Sequence, residues 1–560
     1  MKRRVYCLAV SLGLIVASCG SPEKMKEAAD QIKVTCTPNV LEAHAGVIKA
    51  KITVTFPEKF FHPDAVLEML PVVKYTDGEV AGTAKVLQGE KVKDNNAVIS
   101  QKGGEYTQEL TFDFTDAMSV ATLEVRPTLI MKGQRLQFPN DIKAADGVIA
   151  TYKLAEVEVN PVTHEDEYTK TIEDSKSAEI KFIINQALVR SSELSKADVK
   201  TLQNFIVDAL KDQKQTLKEL QISSYASPDG ATSLNEKLST NRGKSSNDAL
   251  STFLKKSKVS VDKNLVSVQH TAEDWEGFKE LMSQSNIQDK ELVLRVLSMY
   301  SDAEVREREI KNISAVYKVI ADEILPQLRR SKLFATVETA NLTDDEIKAL
   351  VDAGNLDVLD VEQIIYAAEK LYTDESVKVD LYKKAAEKFS DFRTYNNLGA
   401  IYLAQKDVNN AKTALDAALA INSTDAKVKN NAGYAALLQG NLAETEKLLA
   451  GAGLDESKSG LAYIAIGKGE YGQALTLLKG SKSLNEALAL LLNNKVDDAS
   501  AVLADLTSAK ACYLKAVIGA RKNSESDVLD NLNKAFALDA SLKDASKKDA
   551  EFAAFWQKIQ

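Results

Sequence analysis

The chain has 560 residues, with 44% hydrophobic and 27% charged side chains. These are the proportions of a folded globular protein, and the length exceeds what one hydrophobic core serves, so three or four domains are expected. Asp and Glu number 80 against 71 Lys and Arg, and the formal charge of -9 is spread along the chain; that excludes the basic stripe a nucleic acid needs and reads as solvated surface.

Four cysteines (Cys7, Cys19, Cys36 and Cys512) form no CxxC pair, and His44, His62, His164 and His270 share no ligand spacing. Neither a disulfide framework, a metal site nor a cofactor is expected. At the N-terminus, Lys2, Arg3 and Arg4 precede an apolar stretch, 5–17, that is too short to span a bilayer comfortably. Val16-Ala17-Ser18-Cys19 resembles a bacterial lipobox, which implies a signal peptide over 1–18, lipid on Cys19 and a polar tether over 19–30. Several acyl chains on one residue hold a protein stably to a membrane. The resemblance is to envelope lipoproteins of the Bacteroidetes type. Only Glu23, beside Lys24, follows the cysteine closely, and this weak acidic signal points to an outer-membrane anchor facing the periplasm.

Residues 31–160 alternate apolar and polar side chains with period two, as in 51–56, 109–114 and 121–125. Turn pairs such as Asp77-Gly78 and Gly103-Gly104 separate them. Short strands at this spacing predict a β-sandwich of immunoglobulin-like type, a module that spaces or binds. The polar, acidic stretch 161–176 reads as a linker.

The next unit runs strand (179–184), helix (195–210), strand (220–225), helix to about 254 and strand (265–268), an α+β succession with helices packed on a sheet. Asn235, Leu238, Ser239 and Arg242 fit an N-x-x-L-S-x-x-R pattern after the turn Ser227-Pro228-Asp229-Gly230. With that motif, 177–336 resembles an OmpA-like C-terminal domain, and the segments around Trp275, 292–297 and 325–330 resemble the helical insertion of a Bacteroidetes variety.

The resemblance implies binding of a peptidoglycan stem, with Arg242 on a carboxylate and an aspartate of the preceding turn on the amino group. The family's aspartate position is occupied here by Ser227, and Asp229 lies two residues on. A guanidinium fork suits a carboxylate, but Arg242 equally fits a helix residue paired with a nearby acid. Asn235 fits a capping or turn role as well as a ligand role.

From 343 to 560 the chain is rich in Ala and Leu with helix-turn-helix pacing. Thr343 and Glu346 have capping-box spacing. Tyr395, Leu398, Gly399, Tyr402, Ala411, Leu415 and Ala418 resemble a tetratricopeptide repeat (TPR), and Gly433 follows Gly399 by 34 residues, the period of that family. An all-α TPR solenoid is implied, offering a concave face to an unknown protein partner. Asn396, Asn397, Asn430 and Asn431 fall on first helices of repeats, where amides that both donate and accept suit a bound peptide backbone. The alternatives are helix-surface solvation for these amides and, for the face, docking on the protein's own OmpA-like domain or a merely structural role.

No Ser/His/Asp set, metal cluster or phosphate loop emerges, and the neighbouring Glu273 and Asp274 point apart rather than forming an acid/base pair. The sequence therefore points to a non-catalytic envelope scaffold. The alternative is a component of a secretion or fimbria-assembly complex whose OmpA-like domain binds protein instead of peptidoglycan.

Overall fold

The computed structural model describes residues 24–131 and 133–559. The 1–18 signal peptide and Cys19 lie outside the described residues. The chain has a β-rich N-terminal region and a helical C-terminal region, and divides into two compact units: one of 1–164 with 374–560, the other 165–373 inserted between them in sequence.

In the first unit the alternating segments are strands. Val47–Phe56 pairs antiparallel with Lys33–Thr37 on one side and Gly104–Asp113 on the other. Val66–Tyr75 pairs with Ala121–Met131, which also carries Ile142–Ile149. Val40–His44 pairs with both Val47–Phe56 and Ile142–Ile149, tying the two groups together. The inward alternate residues Ile48, Ile52, Val54, Leu67, Met69, Leu123 and Val125 fill one core, as period-two patterning requires. The tether reading of 19–30 is corrected from residue 24 on: Lys24–Glu27 is a helical turn whose Met25 is buried in that core, because an apolar side chain is better packed than hydrated.

The helical part of this unit opens with Glu375–Phe389 and continues as a series of helix pairs: Phe392–Ala404 with Val408–Ile421, Ala426–Leu438 with Leu442–Ala452, Lys458–Gly467 with Tyr471–Leu478, Leu484–Leu492 with Val496–Leu503, and Ala509–Arg521 with Glu525–Leu538, followed by the short helix Ser541–Ser546. Small residues set the approach within a pair. A Cβ on Gly399 would lie 2.5 Å from Leu415, and one on Gly433 would lie 2.6 Å from Leu449. The last segment, Ala550–Phe555, packs Phe552 against Tyr513 at 5.3 Å. Within the same unit His44 bonds the Tyr471 hydroxyl at 2.7 Å, and Gly147 sits where a Cβ would meet Ala550, so the β region and the helix pairs share one body.

The second unit holds a four-stranded sheet in the order Thr171–Lys181, Arg330–Ala340, Gln215–Tyr225, Val266–Thr271, with only the last pair parallel. Helices Ala197–Lys211 and Thr232–Lys256 supply Val199, Leu202, Ile206, Leu250 and Leu254 to its core. Helices between Trp275 and Leu328 build a separate small core around Phe278, Met282, Leu297 and Ile320. Asp344–Asp352 begins with the capping box formed by Thr343 and Glu346. It belongs to this unit, so the helix pairs of the first unit begin after residue 373 rather than at 343.

The linker reading of 161–176 is corrected. Residues 171–176 are the first half of a strand paired along its length with Arg330–Ala340; their polar side chains suit a solvated sheet edge, so composition concealed the pairing. Residues 155–164 are neither a β-sandwich end nor a linker but one extended segment laid against the helix pairs.

Candidate functional site

An extended stretch, 155–164, runs along the first helices of successive pairs. Among the described residues no strand pairs with it, and the array's side chains take that part. The amide of Asn485 accepts from the Glu156 N–H at 2.9 Å and donates to the Glu156 carbonyl at 2.7 Å. Asn431 treats Val162 in the same two-way manner, at 2.8 and 2.7 Å. Asn397 does so with His164, at 2.7 and 2.9 Å.

Between these pairs Ser459 donates to the Glu158 carbonyl at 3.2 Å, Asn430 to that of Asn160 at 2.9 Å and Asn396 to that of Val162 at 2.9 Å. The Lys427 ammonium reaches the Thr163 carbonyl at 2.9 Å. The array thus meets residues 156, 158, 160, 162 and 164 in turn, which is the period of an extended chain. Pro161, which has no N–H to satisfy, falls between two of them.

Asn396, Asn397, Asn430, Asn431 and Asn485 are fully buried. Burying an amide is tolerable only when its polar atoms are paired, and here they also hold one another. Asn431 donates to Asn396 at 2.9 Å, Asn430 to Asn431 at 3.1 Å and the Ser457 hydroxyl to Asn430 at 2.7 Å. His164 closes the end of the row: its ring lies 3.2 Å from Asp425, 3.1 Å from the Asn396 amide and edge-on to Phe392 at 5.2 Å. Burial pushes the imidazole below its ordinary pKa despite Asp425, and burial raises the Glu158 carboxyl.

The four asparagines singled out by sequence are brought together with Asn485, Ser459, Lys427 and His164, which sequence reasoning missed. The period-two run Val157, Val159 before Asn160-Pro161 was the available signal for an extended segment, since Pro holds its own φ and keeps its predecessor extended.

The second unit gathers Arg242, Asn235, Asp229 and Ser227 differently. Arg242 is only 1% exposed. Its guanidinium donates to the carbonyls of Tyr225 at 2.8 Å, Gln186 at 3.1 Å and Ile183 at 3.4 Å, and lies over the Phe182 ring at 5.3 Å. Among the described residues no carboxylate lies within ion-pair distance of it, so the pairing with a nearby acid is corrected: carbonyls of 183–186 and the end of the central strand take the acid's place. Burial, aided by the neighbouring Arg329 cation, pushes its pKa down to about 10, which leaves it charged at neutral pH.

Arg329 bonds Asp229 at 3.0 Å and Ser227 at 3.2 Å, and Ser227 donates to Asp229. The buried Asn235 amide donates to the Gly230 carbonyl at 3.1 Å, fixing the turn. Glu273 and Asp274 have separate tasks. Asp274 caps the helix Trp275–Gln284 and pairs with Arg330 at 3.1 Å, while Glu273 accepts from Trp275 and Thr232.

Among the described residues no group of three or more His, Cys, Asp or Glu side chains converges to hold a metal ion, and no helix is long and apolar enough to cross a membrane.

No protein-family model matches the chain, and no curated protein matches it. Solved structures do. A TPR protein, YrrB, described as having an unusual peptide-binding site, is 20% identical over 29% of this chain and 94% of its own, with a TM-score of 0.25. A tetratricopeptide repeat protein from Parabacteroides merdae is 13% identical over 37% and 90%, with a TM-score of 0.28. Yeast Tom70 is 12% identical over 65% and 85%, with a TM-score of 0.24.

Proposed function

We propose that the chain is a non-catalytic scaffold of a Gram-negative outer membrane, anchored by lipid on Cys19 and facing the periplasm. Its β-sandwich is a spacer, 177–336 is an OmpA-like domain and the helix pairs are a TPR array serving a protein partner. The observation that carries the interaction role is the row of buried amides, which holds an extended polypeptide by its backbone. The anchor rests on the lipobox, and labelled fatty acid tests it. Wild-type protein is expected to incorporate the label and sediment with membranes. A Cys19→Ala variant that remains equally membrane-bound, with no label in the wild type, removes the anchor.

A second reading is favoured by the geometry around Arg242. Its guanidinium sits on backbone carbonyls and Asp229 sits on Arg329, so neither group is free for a stem peptide. This supports an OmpA-like domain that binds protein, as in a secretion or fimbria-assembly complex, over one that binds peptidoglycan. Co-sedimentation with purified sacculi separates the two. Binding that free stem peptide competes away, and that Asp229→Asn weakens, supports the peptidoglycan reading; no sedimentation by the intact protein supports the other.

A further inference from the structure

We propose that the concave face of the helix pairs is a receptor for extended polypeptide that is closed by the protein's own residues 155–164, and that a partner's extended segment enters only by replacing them. The inference rests on the reading of the array as a protein-binding surface and adds its occupant and its control.

Three observations carry it. The first is the kind of contact: Asn397, Asn431 and Asn485 each satisfy both the N–H and the carbonyl of one residue, while the side chains of His164, Asn160 and Glu156 add contacts to Asp425, Ser459 and Lys510. An amide that pairs with a peptide group this way imitates a neighbouring strand; main-chain bonding of this kind gives affinity, and side-chain contacts such as those of His164 add selectivity. The second is position. The amides come from the first helix of three different pairs, with Ser459 on the pair between Asn431 and Asn485, so the row is a property of the repeated architecture rather than of one turn. The third is completeness, since the asparagines are fully buried beneath the segment and no polar atom of theirs is among the buried side-chain atoms left without a partner. A second chain therefore finds no vacancy.

Magnitude decides how firmly the face is closed. A segment joined to its receptor competes at an effective concentration on the order of millimolar. A free peptide with an intrinsic affinity of about ten micromolar is then held off by roughly 100-fold.

The test uses the full chain and the synthetic peptide of sequence 155–165. In one variant, residues 155–164 are replaced by Gly and Ser at equal length. The expected result is that this variant binds the peptide at least roughly 100-fold more tightly than the wild type, and that adding Asn397→Ala and Asn431→Ala to it abolishes binding. Equal binding by wild type and the replaced variant shows that the segment does not close the face and overturns the proposal. A folded replaced variant that binds no peptide overturns the receptor.

Should the replacement not fold, amide exchange in the wild type decides. Val162 and His164 N–H groups exchanging as fast as an unstructured chain sink the proposal, and slow exchange that Asn431→Ala and Asn397→Ala release supports it. Neither arm involves Cys19 or a natural partner, so a failure here is separable from a failure of the scaffold reading.

Discussion

The two units each bury polar side chains against their own backbone, but with different chemistry. In the first unit neutral amides hold residues 156–164 by donors and acceptors alike; in the second, Arg242 holds 183–186 by donors alone. An amide in a fully paired row carries no charge out of water, so its repetition along the array is inexpensive. A guanidinium does carry charge, and its lowered pKa records that burden. One device can therefore be repeated pair after pair, while the other is suited to a single knot.

The difference can be broken most forcefully at the knot. Arg242→Ala leaves the Tyr225, Gln186 and Ile183 carbonyls without their donor and opens a cavity, so a loss of about 3–4 kcal/mol is expected in urea unfolding. The effect should be confined to transitions reporting on the second unit.

A smaller loss, about 2–3 kcal/mol, is expected for Asn397→Ala combined with Asn431→Ala. Asn396 contacts both side chains, so the two changes should couple rather than add. The measurement is the same unfolding curve for the first unit, together with the exposure of residues 155–164 to protease.

Smaller again is Gly433→Ala. The added methyl meets Leu449 at 2.6 Å, and about 1–2 kcal/mol of overpacking is expected from its melting curve.

The smallest effect is on pH. The folded imidazole of His164 has a pKa below the ordinary 6.5, so the unfolded chain takes up the proton first as pH falls. Stability is full above 6.5 and is lost as pH falls from there toward the folded value. Glu158 acts in the opposite sense: its carboxyl lies above the ordinary 4.5, so the folded chain is protonated first and acidification through that window restores stability. Urea midpoints of the wild type should fall below pH 6.5, and His164→Gln should flatten that part of the profile.

What could be read in advance follows from where the determining contacts lie. Helix pairs announce themselves through glycines 34 residues apart and through Ala and Leu on facing surfaces, because those constraints act between neighbours in sequence. The asparagine pairs stood out for the same reason. Their occupant did not: Glu156 and Asn485 are 329 residues apart, and an acidic, Thr-containing stretch carries no local mark of burial.

Arg242 shows a related limit. The sequence singled Arg242 out, but whether it meets a carboxylate or carbonyls depends on how 183–186 folds back. Ile183 and Ile184, read as strand, instead lie beyond the strand end at Lys181 and are exposed; the carbonyls of Ile183 and Gln186, freed from a ladder, are what Arg242 takes.

The docking of residues 155–164 also sets an order of events during synthesis. They are made long before the surfaces they need, 233 residues ahead of Asn397 and 329 ahead of Asn485. Closing the larger loop rather than the smaller adds only about 0.3 kcal/mol, because the entropy grows with the logarithm of length. Distance is thus a small thermodynamic burden, while timing is imposed by the chain itself. Until the Leu484–Leu492 helix has been translated, the Glu156 end has nowhere to settle, and a molecule cut short before it keeps that end open to proteolysis. Seating of the Glu156 end marks a chain made at least as far as that helix.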